Sequence, residues 1–146
     1  MFYNKQVPKA RKELSEIDTN IELLIMFNSN SIKNKIVKRW SFGGGVNGGE
    51  IGNYRSRDYK AFKVSKNPQA NGSVDLILTG SLGDKIFISQ LGDVFEVKSN
   101  DYKFFDIGKK YGFEQFNLTT SETNQLIQEL YYKVMEEYTR NVWQKV

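Results

Sequence analysis

The side chains of this sequence that could do chemistry are carboxylates, hydroxyls, lysines and tyrosines, because its 146 residues include neither histidine nor cysteine. That removes the commonest general base, the thiol nucleophile, disulfides and the usual zinc and copper ligands. Two carboxylate pairs remain to be weighed. Glu136 and Glu137 are adjacent on a predicted helix, where successive side chains diverge by about 100° and cannot share a substrate. Asp101 and Asp106 flank an aromatic stretch, and Asp101 is well placed to cap a helix. Neither a Ser-x-x-Lys pair nor calcium-loop spacing occurs. The sequence therefore predicts no catalytic, metal-binding or cofactor-binding residue, and a protein that acts by binding and assembly rather than as an enzyme.

Recognition chemistry, in contrast, is concentrated in residues 53–66. Here Arg55, Arg57, Lys60, Lys63 and Lys66 face a single acid, Asp58, and are interleaved with Tyr54, Tyr59 and Phe62. These five cations and three aromatics are the candidate contacts with a partner or a nucleic acid. From Asp58 the types alternate, with Tyr59, Ala61 and Lys63 on one side and Lys60, Phe62 and Val64 on the other, which predicts an extended arm. Two uses are open: phosphate contact with base stacking, or docking on acidic surfaces of neighbouring protomers. The charge distribution serves either. Residues 1–66 hold 13 Lys/Arg against 6 Asp/Glu, and residues 67–146 hold 8 against 11, giving +7 and −3 in a chain of net charge +4.

The elements that must carry this segment follow from periodicity. Ala10, Leu14, Ile17, Ile21 and Leu24 form one helical stripe, and Ile32, Ile36, Val37 and Trp40 form a second. Asn28-Ser29-Asn30-Ser31 interrupts them, predicting one long helix bent near residue 29 or two helices meeting there. The glycines at 43, 44, 45, 48, 49 and 52 predict a flexible connection. They do not form a phosphate-cradling loop, since Glu50 rather than a Lys-Ser/Thr pair follows Gly49. Strands are expected over Val74–Thr79, Asp84–Gln90 and Val94–Lys98, the last two joined at Leu91-Gly92-Asp93. A short aromatic piece, Tyr102–Ile107, stops at Gly108. Thr119-Thr120-Ser121-Glu122 reads as a capping box opening a final helix. Its expected core face is Ile127, Leu130, Tyr131, Val134, Tyr138 and Val142, with Leu126 and Met135 on the shoulders. The expected fold class is thus α+β in one domain, 1–146. It comprises a long N-terminal helix, a glycine-rich loop and extended basic arm over 41–72, a small antiparallel sheet of about three to five strands, and a C-terminal amphipathic helix. No apolar run approaches the ~18 residues of a membrane span, and the plain expectation is a cytoplasmic protein.

Leu78-Thr79-Gly80-Ser81-Leu82 resembles the leucine-threonine-glycine-x-leucine segment of tailed-bacteriophage tail-completion and head–tail connector proteins. In that family a helix and an extended segment lead into the motif. A hairpin, an aromatic-plus-glycine segment and a turn into the last helix follow. The counterparts here are Ile86 to Val97, Tyr102 to Gly108 and Phe113 to Thr119, so the order matches over about residues 50–138. The arginine-proline pair often found before the final helix is missing, with Glu114-Gln115-Phe116-Asn117 in its place. The resemblance implies a structural protomer of a six- or twelvefold homo-oligomeric ring in the virion neck, made in the host cytoplasm. Its partners would be adjacent portal, connector or tail proteins, with nonspecific contact with DNA in the channel, no membrane and no cofactor. The other expectation from the residues is a cytoplasmic nucleic-acid-binding module using segment 53–66.

Overall fold

A computed structural model describes residues 25–143, apart from Phe27, Leu78 and Asp93. The first helical stripe lies outside the described residues. The chain forms two compact units, the larger of them Asn30–Leu126.

The larger unit begins with helix α1, Ser29–Ser41, which follows a turn at Asn28. Ile32, Ile36 and Trp40 lie one turn apart and are all buried, while Lys38 and Arg39 occupy the last turn, where the helix dipole favours cations. Trp40 packs edge-on against Phe116 at 5.4 Å, and Phe116 stacks on Phe104 at 4.5 Å. The core is thus built around a short 3₁₀ turn, Phe113–Phe116. The carbonyl of Gln115 in that turn accepts from Trp40 Nε1 at 3.1 Å and from the Arg39 guanidinium at 2.9 Å.

The glycine-rich stretch after α1 is not the flexible connection expected from its composition. Gly44 and Glu50 form a β-bridge, Ile51 N–H donates to Gly43 O at 3.0 Å, and Val46 N–H donates to Gln115 Oε1 at 3.1 Å. Gly43 sits at φ +69, and a Cβ there would lie 2.8 Å from Ser73 Cβ. Its glycine serves a left-handed, tightly packed position rather than mobility.

Residues 57–66 are likewise not extended. They form helix α2, Arg57–Lys66, with Ser56 Oγ accepting from Tyr59 N–H at 3.2 Å as the N-cap, Asp58 in the first turn and Lys63 and Lys66 in the last. The alternation of types over 58–64 is a weaker determinant than the cap and the charge gradient. Lys63 is the one buried residue of α2. A 3₁₀ turn, Pro68–Ala70, then returns the chain so that Ser73 bridges Asn53 and Val74 N–H donates to Gly52 O at 2.8 Å. The expected strand at 74–79 does not form a ladder among the described residues; Val74, Asp75 and Leu76 are simply buried in succession.

Helix α3, Ser81–Asp84, leads into the sheet, which among the described residues has two strands rather than three to five: β1, Ile86–Leu91, and β2, Val94–Ser99, antiparallel with Leu91 opposite Val94. Ile86 and Ile88 point into the core. Helix α4, Phe104–Tyr111, continues past Gly108, whose missing Cβ leaves room for the Phe113 ring. The last helix, α5, is Thr120–Trp143. Its capping box is present: Glu122 N–H donates to Thr119 Oγ1 at 3.1 Å and Thr119 N–H to Glu122 Oε2 at 2.7 Å. Glu122 also pairs with Arg39, tying this helix start to α1.

The architecture is therefore mixed helix and sheet, with a C-terminal helix. The expected core face of α5 needs correction. Leu126 is buried, Leu130 is half-buried, and Ile127, Tyr131 and Val134 are exposed; the Tyr138 and Val142 side chains lie outside the described residues. An amphipathic stripe records that a face is apolar, not what covers it. In the smaller unit, Lys133 Nζ donates to Asn28 Oδ1 at 2.5 Å. No described helix is long and apolar enough to cross a membrane.

Candidate functional site

An open-sided groove of about 770 Å³ lies in the larger unit. Its floor is an ion pair, Lys63 with Asp75, whose side chains are 2% and 1% exposed. Such a pair survives burial only if every remaining donor and acceptor is met. Lys63 Nζ also donates to Ile77 O at 2.7 Å; the Asp75 carboxylate accepts from Asn67 Nδ2 at 3.0 Å and Ile77 N–H at 3.1 Å. The α2 register that points Lys63 inward thus requires an acid at 75 to meet it.

One wall is the segment entering α2. Tyr54 hydroxyl donates to Asp75 O at 3.3 Å and accepts from Asp75 N–H at 3.1 Å, which fixes its ring, and Tyr59 packs edge-on against it at 5.2 Å. Burial pushes the Tyr54 phenol up to about 12, against the opposing effect of the Asp75 backbone hydrogen bond. It therefore stays protonated throughout the neutral range. Arg55 is exposed at the rim.

The opposite wall is built on Asp101. Its carboxylate accepts from Ser81 Oγ at 2.6 Å and from Lys103 N–H at 2.9 Å, and lies 3.5 Å from Lys85 Nζ. The Ser81 hydrogen bond, then the Lys103 amide, hold its pKa below the ordinary carboxylate value, outweighing burial. Asp101 is not the helix cap expected from its position, since Lys103 holds the N-cap of α4 without a side-chain bond; its carboxylate instead closes the turn before the helix, and Tyr102, Lys103, Lys110 and Tyr111 line this side of the groove. Lys103 Nζ stands 5.3 Å from the Tyr102 ring centre, and Lys110 Nζ 5.0 Å from that of Tyr111. Tyr54 is thus held protonated and Asp101 ionised at neutral pH.

Of the eight residues singled out in the sequence, Tyr54, Arg55, Tyr59 and Lys63 line the groove. Arg57, Lys60, Phe62 and Lys66 do not; Arg57, Phe62 and Lys66 are exposed elsewhere on α2 and Lys60 is half-buried. Lys63 is expected from the sequence to contact a partner, but burial against Asp75 takes it out of reach. Sequence reasoning misses the second wall, because Tyr102 and Lys103 read only as part of a short aromatic piece and Lys110 and Tyr111 lie beyond the Gly108 at which that piece is expected to stop. The clue available is two Lys-Tyr neighbours, Tyr102-Lys103 and Lys110-Tyr111, a helix length apart. Comparisons with protein-family models, curated proteins and solved structures return no match.

Proposed function

We propose that the protein is a structural protomer that works by assembly: a head–tail connector or tail-completion subunit of a tailed bacteriophage, forming a ring between portal and tail around a DNA channel. The observation that carries this reading is the outer face of the hairpin. Antiparallel pairing puts Phe87, Ser89 and Leu91 on one face with Lys98, Glu96 and Val94, opposite the face that buries Ile86 and Ile88. Phe87, Leu91 and Val94 are 39%, 71% and 59% exposed on it. A two-stranded sheet is marginal alone, and its unpaired edges invite a further strand. An apolar cluster on such an element marks a contact surface.

The element order after Leu82 also suits the family: a hairpin, an aromatic helix, then a short turn into a capped last helix. The role is non-catalytic and needs no cofactor, with ring neighbours and adjacent portal, connector or tail proteins as partners. Native mass spectrometry of the purified chain, alone and mixed with a portal ring, tests it. A closed oligomer or a stoichiometric portal complex is the expected result. A chain that stays monomeric under both conditions overturns the proposal.

A further inference from the structure

We propose that the groove between α2 and α4 is a binding site for a single-stranded nucleic acid, with bases stacked on its tyrosines and phosphates held by its rim cations. This goes beyond the assembly role and does not depend on it. Charge comes first. The carboxylates lining the groove are Asp75 and Asp101; the first is matched by Lys63, and the second by Ser81, the Lys103 amide and Lys85. Arg55, Lys103 and Lys110 line the same groove and have no ion-pair partner among the described residues. The charged residues lining the groove, Arg55, Lys63, Lys103 and Lys110 against Asp75 and Asp101, leave it with an excess of positive charge, which favours an anionic occupant.

The rings narrow the choice among anions. Tyr59 and Tyr102 are 43% and 78% exposed beside those cations. Tyr54 is fixed through its hydroxyl and Tyr59 rests on it, so one wall is a rigid platform. On the other wall each lysine ammonium rests over a tyrosine ring, at 5.3 and 5.0 Å. A nucleotide offers both halves of the exchange: its phosphate draws the ammonium away, and its base takes over the ring face. An acidic peptide satisfies only the first half.

The test is fluorescence anisotropy of a short labelled oligothymidylate with the purified chain at low salt. Three variants are compared: Tyr102→Ala, the pair Lys103→Glu/Lys110→Glu, and the pair Arg57→Glu/Lys66→Glu. The last reverses two exposed cations of α2 that do not line the groove. Tyr102, Lys110, Arg57 and Lys66 are exposed and Lys103 is half-buried, and equal thermal melting confirms that each variant is folded. Tyr102→Ala is expected to weaken binding about tenfold, with recovery in Tyr102→Phe. Lys103→Glu/Lys110→Glu is expected to lower the salt slope by about 0.7 for each phosphate that is no longer neutralised. Arg57→Glu/Lys66→Glu should change affinity less than either. No binding by the wild type, an unchanged Tyr102→Ala, an equal loss with Arg57→Glu/Lys66→Glu, or equal competition by oligoglutamate each overturns the proposal. Each readout is independent of whether the chain forms a ring.

Discussion

Lys63 and Asp75 are the residues on which the larger unit is most exposed to single changes. Each is almost wholly removed from water, so deleting one leaves the other charged and without its partner. Lys63→Ala or Asp75→Ala should destabilise the fold by about 3–5 kcal/mol, and the double replacement Lys63→Met/Asp75→Leu should recover much of that loss. Urea denaturation of the singles and the double as a mutant cycle measures it. A second residue-scale expectation concerns pH. The folded state holds the Tyr54 proton more tightly than the unfolded chain, so the associated stability is complete below the ordinary phenol value of about 10. It is lost as pH rises through about 12. Melting temperatures measured across that window should fall less steeply for Tyr54→Phe than for the wild type. Equal slopes would show that the Tyr54 phenol titrates as an ordinary one.

Elements differ in how far their sequences announce them. The hairpin and the capping box are legible because both are local: Leu91 pairs with Val94, and Thr119 with Glu122, through the nearby chain alone. Helix α2 is harder to read, because its alternating types mimic a strand and compete with the Ser56 cap and the charge gradient, while the pair that buries Lys63 against Asp75 spans twelve positions. The glycine-rich reversal reads as mobile for the same reason, since Gln115 anchors it from far along the chain. Half of the groove is legible, the half on residues 53–66. The other half is not, because α4 is placed by contacts distant in sequence, among them Ser81 with Asp101 and the Trp40–Phe116–Phe104 ring cluster. Two expectations belong at this scale. Thr119→Ala should lower stability by about 1 kcal/mol in chemical denaturation, the usual worth of an N-cap. Leu126→Ala should cost about 2–5 kcal/mol, whereas Ile127→Ala, one position on and 57% exposed, should stay within about 0.5 kcal/mol. Similar losses at both positions would mean that the helix face beyond Leu126 is covered.

For the whole molecule, the separation of roles is the main consequence of the proposed function. The hairpin's apolar outer face and the cation-lined groove use different residues, so assembly and strand binding should be separable by mutation. Leu91→Lys/Val94→Lys should leave the melting temperature within a few degrees, because exposed positions contribute little to folding, yet hold the chain monomeric in native mass spectrometry. The same variant should bind oligothymidylate as the wild type does. An oligomer of unchanged size would remove the hairpin face from the interface.

The reversal after α1 also suits the molecule to handling from outside. Its base is closed by the Gly44–Glu50 bridge and by the Ile51 hydrogen bond to Gly43, while the space around Gly48 and Gly49 is open for at least 4 Å. An insertion between those two glycines lengthens only the tip of a loop whose ends are already joined, at a cost that grows slowly with added length. A fluorophore-bearing peptide or an affinity tag placed there should leave both the hairpin and the groove unaltered. That makes position 48–49 the natural point at which to label the protein.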